Sequence, residues 1–139
     1  MNPYKALIIE DDIVSACFLE QLLFTYEDIK LIGTASNAET GQRLILEHHP
    51  EIVFLDICLE KDNGIKLYMK LHPIIDWSMR IIINSSHQAL IATSMELPVF
   101  DFLVKLEKTV KLTTYYRFKL TTLNRSKLTT FDRSKLTTR

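Results

Sequence analysis

Short apolar runs alternate with longer stretches of helical spacing along this chain. "YKALII" (4–9), "IKLIGTA" (29–35), "EIVFLD" (51–56), "MRIIIN" (79–84) and "VFDFLV" (99–104) are rich in Ile, Val and Phe. Unbroken runs of this kind suit parallel strands that are covered on both faces. In "IVSACFLEQLLFTY", Val14, Phe18, Leu22 and Tyr26 recur at i, i+4, i+8 and i+12, which predicts an amphipathic helix. In "NAETGQRLILEHH", Asn37 offers an N-cap, while Leu44, Ile45 and His48 share a face. "NGIKLYMKLH" and "SHQALIATSMEL" predict two further helices. Five strands alternating with helices imply right-handed crossovers and an α/β fold, a doubly wound five-stranded parallel sheet with flanking helices.

Such sheets bind ligands just beyond the carboxyl ends of their strands, so the residues that follow each strand are the ones to inspect. The first strand is followed by Glu10, Asp11 and Asp12, and the third ends on Asp56. The fourth runs into Asn84, Ser85 and Ser86, and the fifth into Lys105. An ionised acid at the end of a buried run is costly unless something pairs with it. Several carboxylates on one rim repel each other unless a cation intervenes. A hard divalent cation fits, and Mg2+ commonly takes one or two carboxylates plus a substrate phosphate. The metal and the Lys105 ammonium would neutralise an incoming phosphoryl group. Asp56 can then serve as nucleophile and form an acyl phosphate, with the Ser85 hydroxyl donating to a phosphoryl oxygen.

Composition narrows the class. The 139 residues fit one domain with a real core, and 47% hydrophobic against 24% charged is close to ordinary globular usage. No apolar run approaches the roughly 18 residues of a membrane span, and the start lacks the pattern of a signal peptide. Cys17 and Cys58 are too few for a disulfide framework, so a cytoplasmic location is expected. His48, His49, His72 and His87 have no metal-ligand spacing.

The net charge of zero hides an asymmetry: residues 1–106 hold 15 acids and 8 bases, while residues 107–139 hold 2 acids and 9 bases. KLTT recurs at residues 111, 119, 127 and 135, a period of eight. Eight residues overshoot two helical turns by about 80°, so no fixed stripe survives along a helix. A helix is predicted from Glu107 to Leu123, where Leu112, Tyr115, Tyr116, Leu120 and Leu123 still align, followed by an extended basic segment. The favoured reading of the repeats is a tandem duplication. A basic arm for nucleic acid, membrane or an acidic partner is the alternative.

At the strand ends the chain resembles the receiver domain of two-component response regulators, whose fold is flavodoxin-like. The matching elements are "IIEDD", "FLDI", Gly64 eight residues after Asp56, "IIINSS" and "DFLVK", in the family's order over residues 4–118. The resemblance implies that Glu10 and Asp11 hold Mg2+ with Asp56, to which Cys58 lends its backbone carbonyl. It implies Asp56 as phosphoacceptor, Ser85 as the family's hydroxyl, Lys105 as its lysine and Phe102 as its switching aromatic. Asp12 is read as a neighbouring acid and not a ligand. Three departures stand out: Leu106 where the family has a proline after its lysine, Glu60 in place of a common proline, and Ser86 in place of a small residue. With Leu106 in that place the Lys105–Leu106 bond is expected to be trans, because a cis bond there costs about 2.5–4 kcal/mol.

Together the resemblance over residues 4–118 and the repeats beyond it lead us to expect a receiver-like domain over residues 1–123 and a basic octad-repeat tail over 124–139, with no separate output domain. The resemblance implies a single-domain response regulator, a signalling switch and not an enzyme in the usual sense, that catalyses its own phosphorylation and dephosphorylation. The donor would be a histidine kinase or phosphotransfer protein, and the output a changed surface offered to a downstream protein. Self-association into a homodimer is open, while nucleic acid and membrane are not expected as partners. Two other readings remain. One is a degenerate receiver that binds protein without phosphorylation. The other is an aspartate-nucleophile phosphatase, against which stands Cys58 where a second Asp is wanted.

Overall fold

The chain runs β1 (Tyr4–Ile9), α1 (Ile13–Leu23), β2 (Ile29–Ala35), α2 (Ala38–His48), β3 (Ile52–Asp56), β4 (Cys58–Leu59), β5 (Asp62–Asn63), α3 (Gly64–Leu71), β6 (Arg80–Ser85) and β7 (Asp101–Val104). The computed structural model describes residues 2–74 and 79–85 and the backbone of 101–104. The helix expected over 86–97, Trp77, the Phe102 side chain, Lys105 with its bond to Leu106, and the predicted last helix and tail lie outside the described residues.

Each apolar run forms a strand, and five of the strands make one parallel sheet in the order β2-β1-β3-β6-β7. Alternation within the strands divides the core. Leu7, Ile9, Val53, Leu55, Ile81 and Ile83 point to one face, where α2 and α3 cover them with Ile45, Leu67 and Leu71. Ala6, Ile8, Ile52, Phe54 and Ile82 point to the other, beneath Leu19, Leu22 and Leu23 of α1. Burial on both faces is the reason these strands read as continuous apolar runs.

The α1 face departs from expectation. The predicted stripe began at Val14, yet Val14 is 75% exposed, and Phe18 and Tyr26 only flank the core. The buried side is Ala16, Leu19, Leu22 and Leu23. Apolar residues occur on nearly every side of this helix, so several stripes satisfy helical spacing and only the packed sheet selects among them. On α2, Asn37 is the N-cap as predicted, accepting from the Thr40 N–H at 2.8 Å. Ile45 is buried and Leu44 packs against the core, but His48 is exposed. His48 contributes through its carbonyl, which accepts from Lys5 Nζ at 2.9 Å. The helix stops at His49, which takes left-handed φ and ψ of 47° and 62° ahead of Pro50.

Candidate functional site

The strand order places the site. After β2 the chain crosses back over β1, so β1 and β3 flank the point where the winding reverses, and a crevice opens there at their carboxyl ends. Ile9 pairs with Leu55, so Glu10 and Asp56 follow side by side on neighbouring strands. Asp56 in turn pairs with Asn84 on β6, and Ser85 pairs with Val104 on β7. The first three strand ends that the sequence singles out therefore meet on one rim. Lys105 directly follows β7 in the chain and lies outside the described residues.

Glu10, Asp11 and Asp56 come together: one carboxylate oxygen from each lies within 4.8 Å of the others. Glu10 is 2% exposed and Asp56 4%, whereas Asp11 stands at the opening, partly buried. Among the described residues this is the one such cluster of acids, Cys or His able to hold a metal. Three carboxylates this close need positive partial charge nearby, and the backbone supplies it. The Asp12 N–H donates to Glu10 Oε1 at 3.1 Å, the Cys58 N–H to Asp56 Oδ1 at 3.1 Å, and the Glu60 N–H to Asp11 Oδ2 at 2.6 Å. Each acid thus accepts at least one main-chain amide, which restricts its rotamer.

Asp12 has a separate task. Its carboxylate caps α1, accepting from the Ser15 N–H at 3.0 Å and the Ser15 hydroxyl at 2.5 Å. That agrees with reading it as a neighbouring acid and not a ligand. Cys58 is partly buried, forms no disulfide and opens the small β4–β5 hairpin directly after Asp56 and Ile57. Ser85 is fully buried at the end of β6, as is Asn84 beside Asp56. Sequence reading placed Asn84 only among the residues at the end of its strand. The pairing with Asp56 is what brings it to the centre, and neither residue type nor spacing announces that.

The loop from Asp56 to Gly64 carries two of the three anchoring amides. It is closed at its base by the Gly64 N–H, which donates to the Ile57 carbonyl at 2.8 Å. Ile57 and Leu59 are buried in the core and pin the loop from below. Asn63 then caps α3, accepting from the Ile65 N–H at 2.7 Å.

The donor set tests whether a hard cation fits. All three side chains offer carboxylate oxygen, the ligand type that Mg2+ and Mn2+ prefer, and no soft donor competes within the cluster. If the acids hold Mg2+, Asp11→Ala should weaken its binding at least tenfold by calorimetry. The same change should leave the melting temperature within a few degrees, because the lost hydrogen bond is offset by relief of like-charge repulsion. Unchanged affinity would count against the cluster as a metal site.

The chain matches the response regulator receiver domain over residues 6–117. It is 34% identical to an uncharacterized response regulatory protein of Vibrio vulnificus, across 76% of this chain and 46% of that protein. The chain spans about half the length of the curated relatives it matches. Two solved structures share the fold. The Mn2+-bound form of response regulator Rcp1 aligns with a TM-score of 0.73 at 18% identity, covering 94% of this chain and 98% of that one. The response regulator domain of Thermotoga maritima CheB gives 0.73 at 21% identity, covering 88% and 94%. The parallel sheet, the acids on its rim and the match through residue 117 agree on one conclusion, that this chain belongs to the response regulator receiver domain family.

Proposed function

We propose that the chain is a phosphorylation-driven switch in which Asp56 accepts a phosphoryl group from the phosphohistidine of a histidine kinase or phosphotransfer protein. The observation that carries this reading is the convergence of Glu10, Asp11 and Asp56 at the winding reversal, each oriented by a backbone amide. A carboxylate oxygen of Asp56 would attack phosphorus as the bond from phosphorus to the donor's nitrogen breaks, leaving an acyl phosphate on the aspartate. Glu10, Asp11 and Asp56, with the Cys58 carbonyl, would hold Mg2+, whose charge offsets that of the phosphoryl oxygens. The Ser85 hydroxyl and the Lys105 ammonium are the groups we assign to the phosphoryl oxygens once the adduct forms. Phe102 would follow Ser85 in the switch and alter the surface near β6 and β7 for a downstream protein. Among the described residues no helix is long and apolar enough to cross a membrane.

Incubation with acetyl phosphate and Mg2+ tests the reading. Intact mass should rise by one phosphoryl group, and the peptide that contains Asp56 should carry it. No adduct in Mg2+, or an equal yield in chelator, would overturn the assignment.

A protein donor also needs a surface to seat on. α1 begins directly after the acids and exposes Ile13 (77%), Val14 (75%) and Cys17, with Phe24 (90%) at its end. At 100° per residue these four lie within about a third of a turn of each other, with Ile13, Val14 and Cys17 forming an apolar patch beside the acceptor and Glu20 and Gln21 separating it from Phe24. Ile13→Asp should leave labelling by acetyl phosphate within twofold, yet slow labelling by a phosphorylated histidine-bearing donor at least tenfold. Equal slowing with both donors would place the damage in the site and not in docking.

A further inference from the structure

Among the hydrogen bonds of the site, the one from the Glu60 N–H to Asp11 Oδ2 joins residues 49 positions apart, at 2.6 Å. It ties the loop after β1 to the loop after β3 at the mouth of the crevice. Its acceptor is Asp11, which is less buried than Glu10 and Asp56. An open aspartate has rotamer freedom to turn toward water, and repulsion from Glu10 and Asp56 favours that escape. The amide opposes it.

We propose that the Glu60 main-chain amide is a positioning group for the divalent cation, holding Asp11 against its two neighbours so that the metal meets a formed carboxylate set. This rests on the reading of Glu10, Asp11 and Asp56 as the metal site. The Glu60 side chain plays no part in it, so the residue type at 60 matters for one property, the presence of an N–H.

The local geometry allows that property to be removed on its own. Leu59 pairs with Asp62, which makes Glu60 and Lys61 a two-residue turn between β4 and β5. Among the described residues only His49 has positive φ, so the turn is of the unprimed kind. Proline is favoured at the first central position of a type I turn. The residue before it, Leu59, is already in an extended strand, as a pre-proline residue should be. Glu60→Pro therefore keeps the turn and deletes the donor. Glu60→Ala keeps both.

Calorimetry with Mg2+ on the whole chain separates these cases. Glu60→Pro should bind Mg2+ five- to tenfold more weakly than the parent, the factor expected of one charge-assisted hydrogen bond open to water. Glu60→Ala should stay within twofold. Parent affinity in Glu60→Pro, or an equal loss in Glu60→Ala, would overturn the role of the amide and leave the metal site standing. A parent chain that binds no Mg2+ would overturn the metal site itself.

Amide hydrogen exchange without metal gives a readout that does not depend on how well Glu60→Pro folds. The Glu60 N–H should exchange at least tenfold more slowly in the parent than in Asp11→Ala, with neighbouring amides of the loop unchanged. Equal exchange in the two chains would overturn the proposal.

Discussion

Asp56→Asn is expected to give a folded chain that takes up no phosphoryl group from acetyl phosphate, a loss of at least a hundredfold against the parent. The amide is the same size and shape as the carboxylate, and its Oδ1 can still accept the Cys58 N–H that Asp56 accepts at 3.1 Å. What disappears is the nucleophile, because an amide oxygen shares its electrons with the amide nitrogen and does not form a stable acyl phosphate. A charge also leaves a cluster in which three carboxylates sit within 4.8 Å. Folding gathers these acids and unfolding lets them separate, so removing one lowers the repulsion of the folded state alone. The variant should therefore melt above the parent in the absence of metal, by roughly 3–4 °C for each kcal/mol of repulsion relieved. Intact mass and thermal unfolding measure the two effects. Persistence of the adduct would move the acceptor to another residue, and a marked fall in melting temperature would mean that Asp56 is held by contacts its amide cannot make.

Much of this arrangement is legible before any coordinates. The five apolar runs mark β1, β2, β3, β6 and β7 to within two residues at each end, because strands buried on both faces leave no polar interruption. The acids at the ends of β1 and β3 are visible for the complementary reason. A carboxylate directly after such a run has no packing role, so its position is informative in itself. Register does the rest, since Ile9 opposite Leu55 leaves Glu10 and Asp56 nowhere to go but together.

Other parts were hidden for physical reasons. The sequence of α1 is apolar at Ile13, Val14, Phe18, Leu19, Leu22, Leu23 and Phe24, and periodicity cannot say which of these a sheet will cover. The patch left exposed there is legible only once Leu19 and Leu23 are seen against Phe54 and Ile82. The β4–β5 hairpin consists of "CL" and "DN", too short to show any alternation. The anchoring amides of Asp12, Cys58 and Glu60 belong to the main chain, which every residue but proline possesses. Glu60 stands out in the sequence only as the absence of a proline, and what that absence provides appears when its N–H is found on Asp11.

The largest structural effect is expected at Gly64, which is not among the acids and touches no phosphoryl group. A Cβ built there would overlap the Asp56 carbonyl oxygen and lie 2.9 Å from its carbon and 3.0 Å from the Ile57 Cα. All three are backbone atoms, so no side chain can rotate aside to relieve the contact. The glycine is needed for close approach and not for its conformation, because no glycine among the described residues has positive φ. The contrast with Gly41 shows what matters. There a Cβ would meet side-chain atoms of Ile9, 2.6 Å away at Cδ1, 3.0 Å at Cγ1 and 3.3 Å at Cγ2, and a side chain, unlike backbone, can shift by a few tenths of an ångström. At Gly64 the N-terminus of α3 must back away from the end of β3, straining the Gly64 N–H bond to Ile57. Gly→Ala normally returns about 0.4–1 kcal/mol by restricting the unfolded chain. Overpacking against rigid backbone costs about 1–3 kcal/mol and occasionally more, so the balance falls on the side of loss. We expect Gly64→Ala to lower the melting temperature by roughly 5–10 °C, while Gly41→Ala stays within a few degrees. Because the clashing atom belongs to Asp56 itself, Gly64→Ala should also weaken Mg2+ binding severalfold under conditions where the chain is still folded. Thermal unfolding and calorimetry on the two variants decide the matter: a Gly64→Ala chain as stable as the parent would mean that the loop between Asp56 and Gly64 gives way freely, and that it cannot be what holds the carboxylates in place.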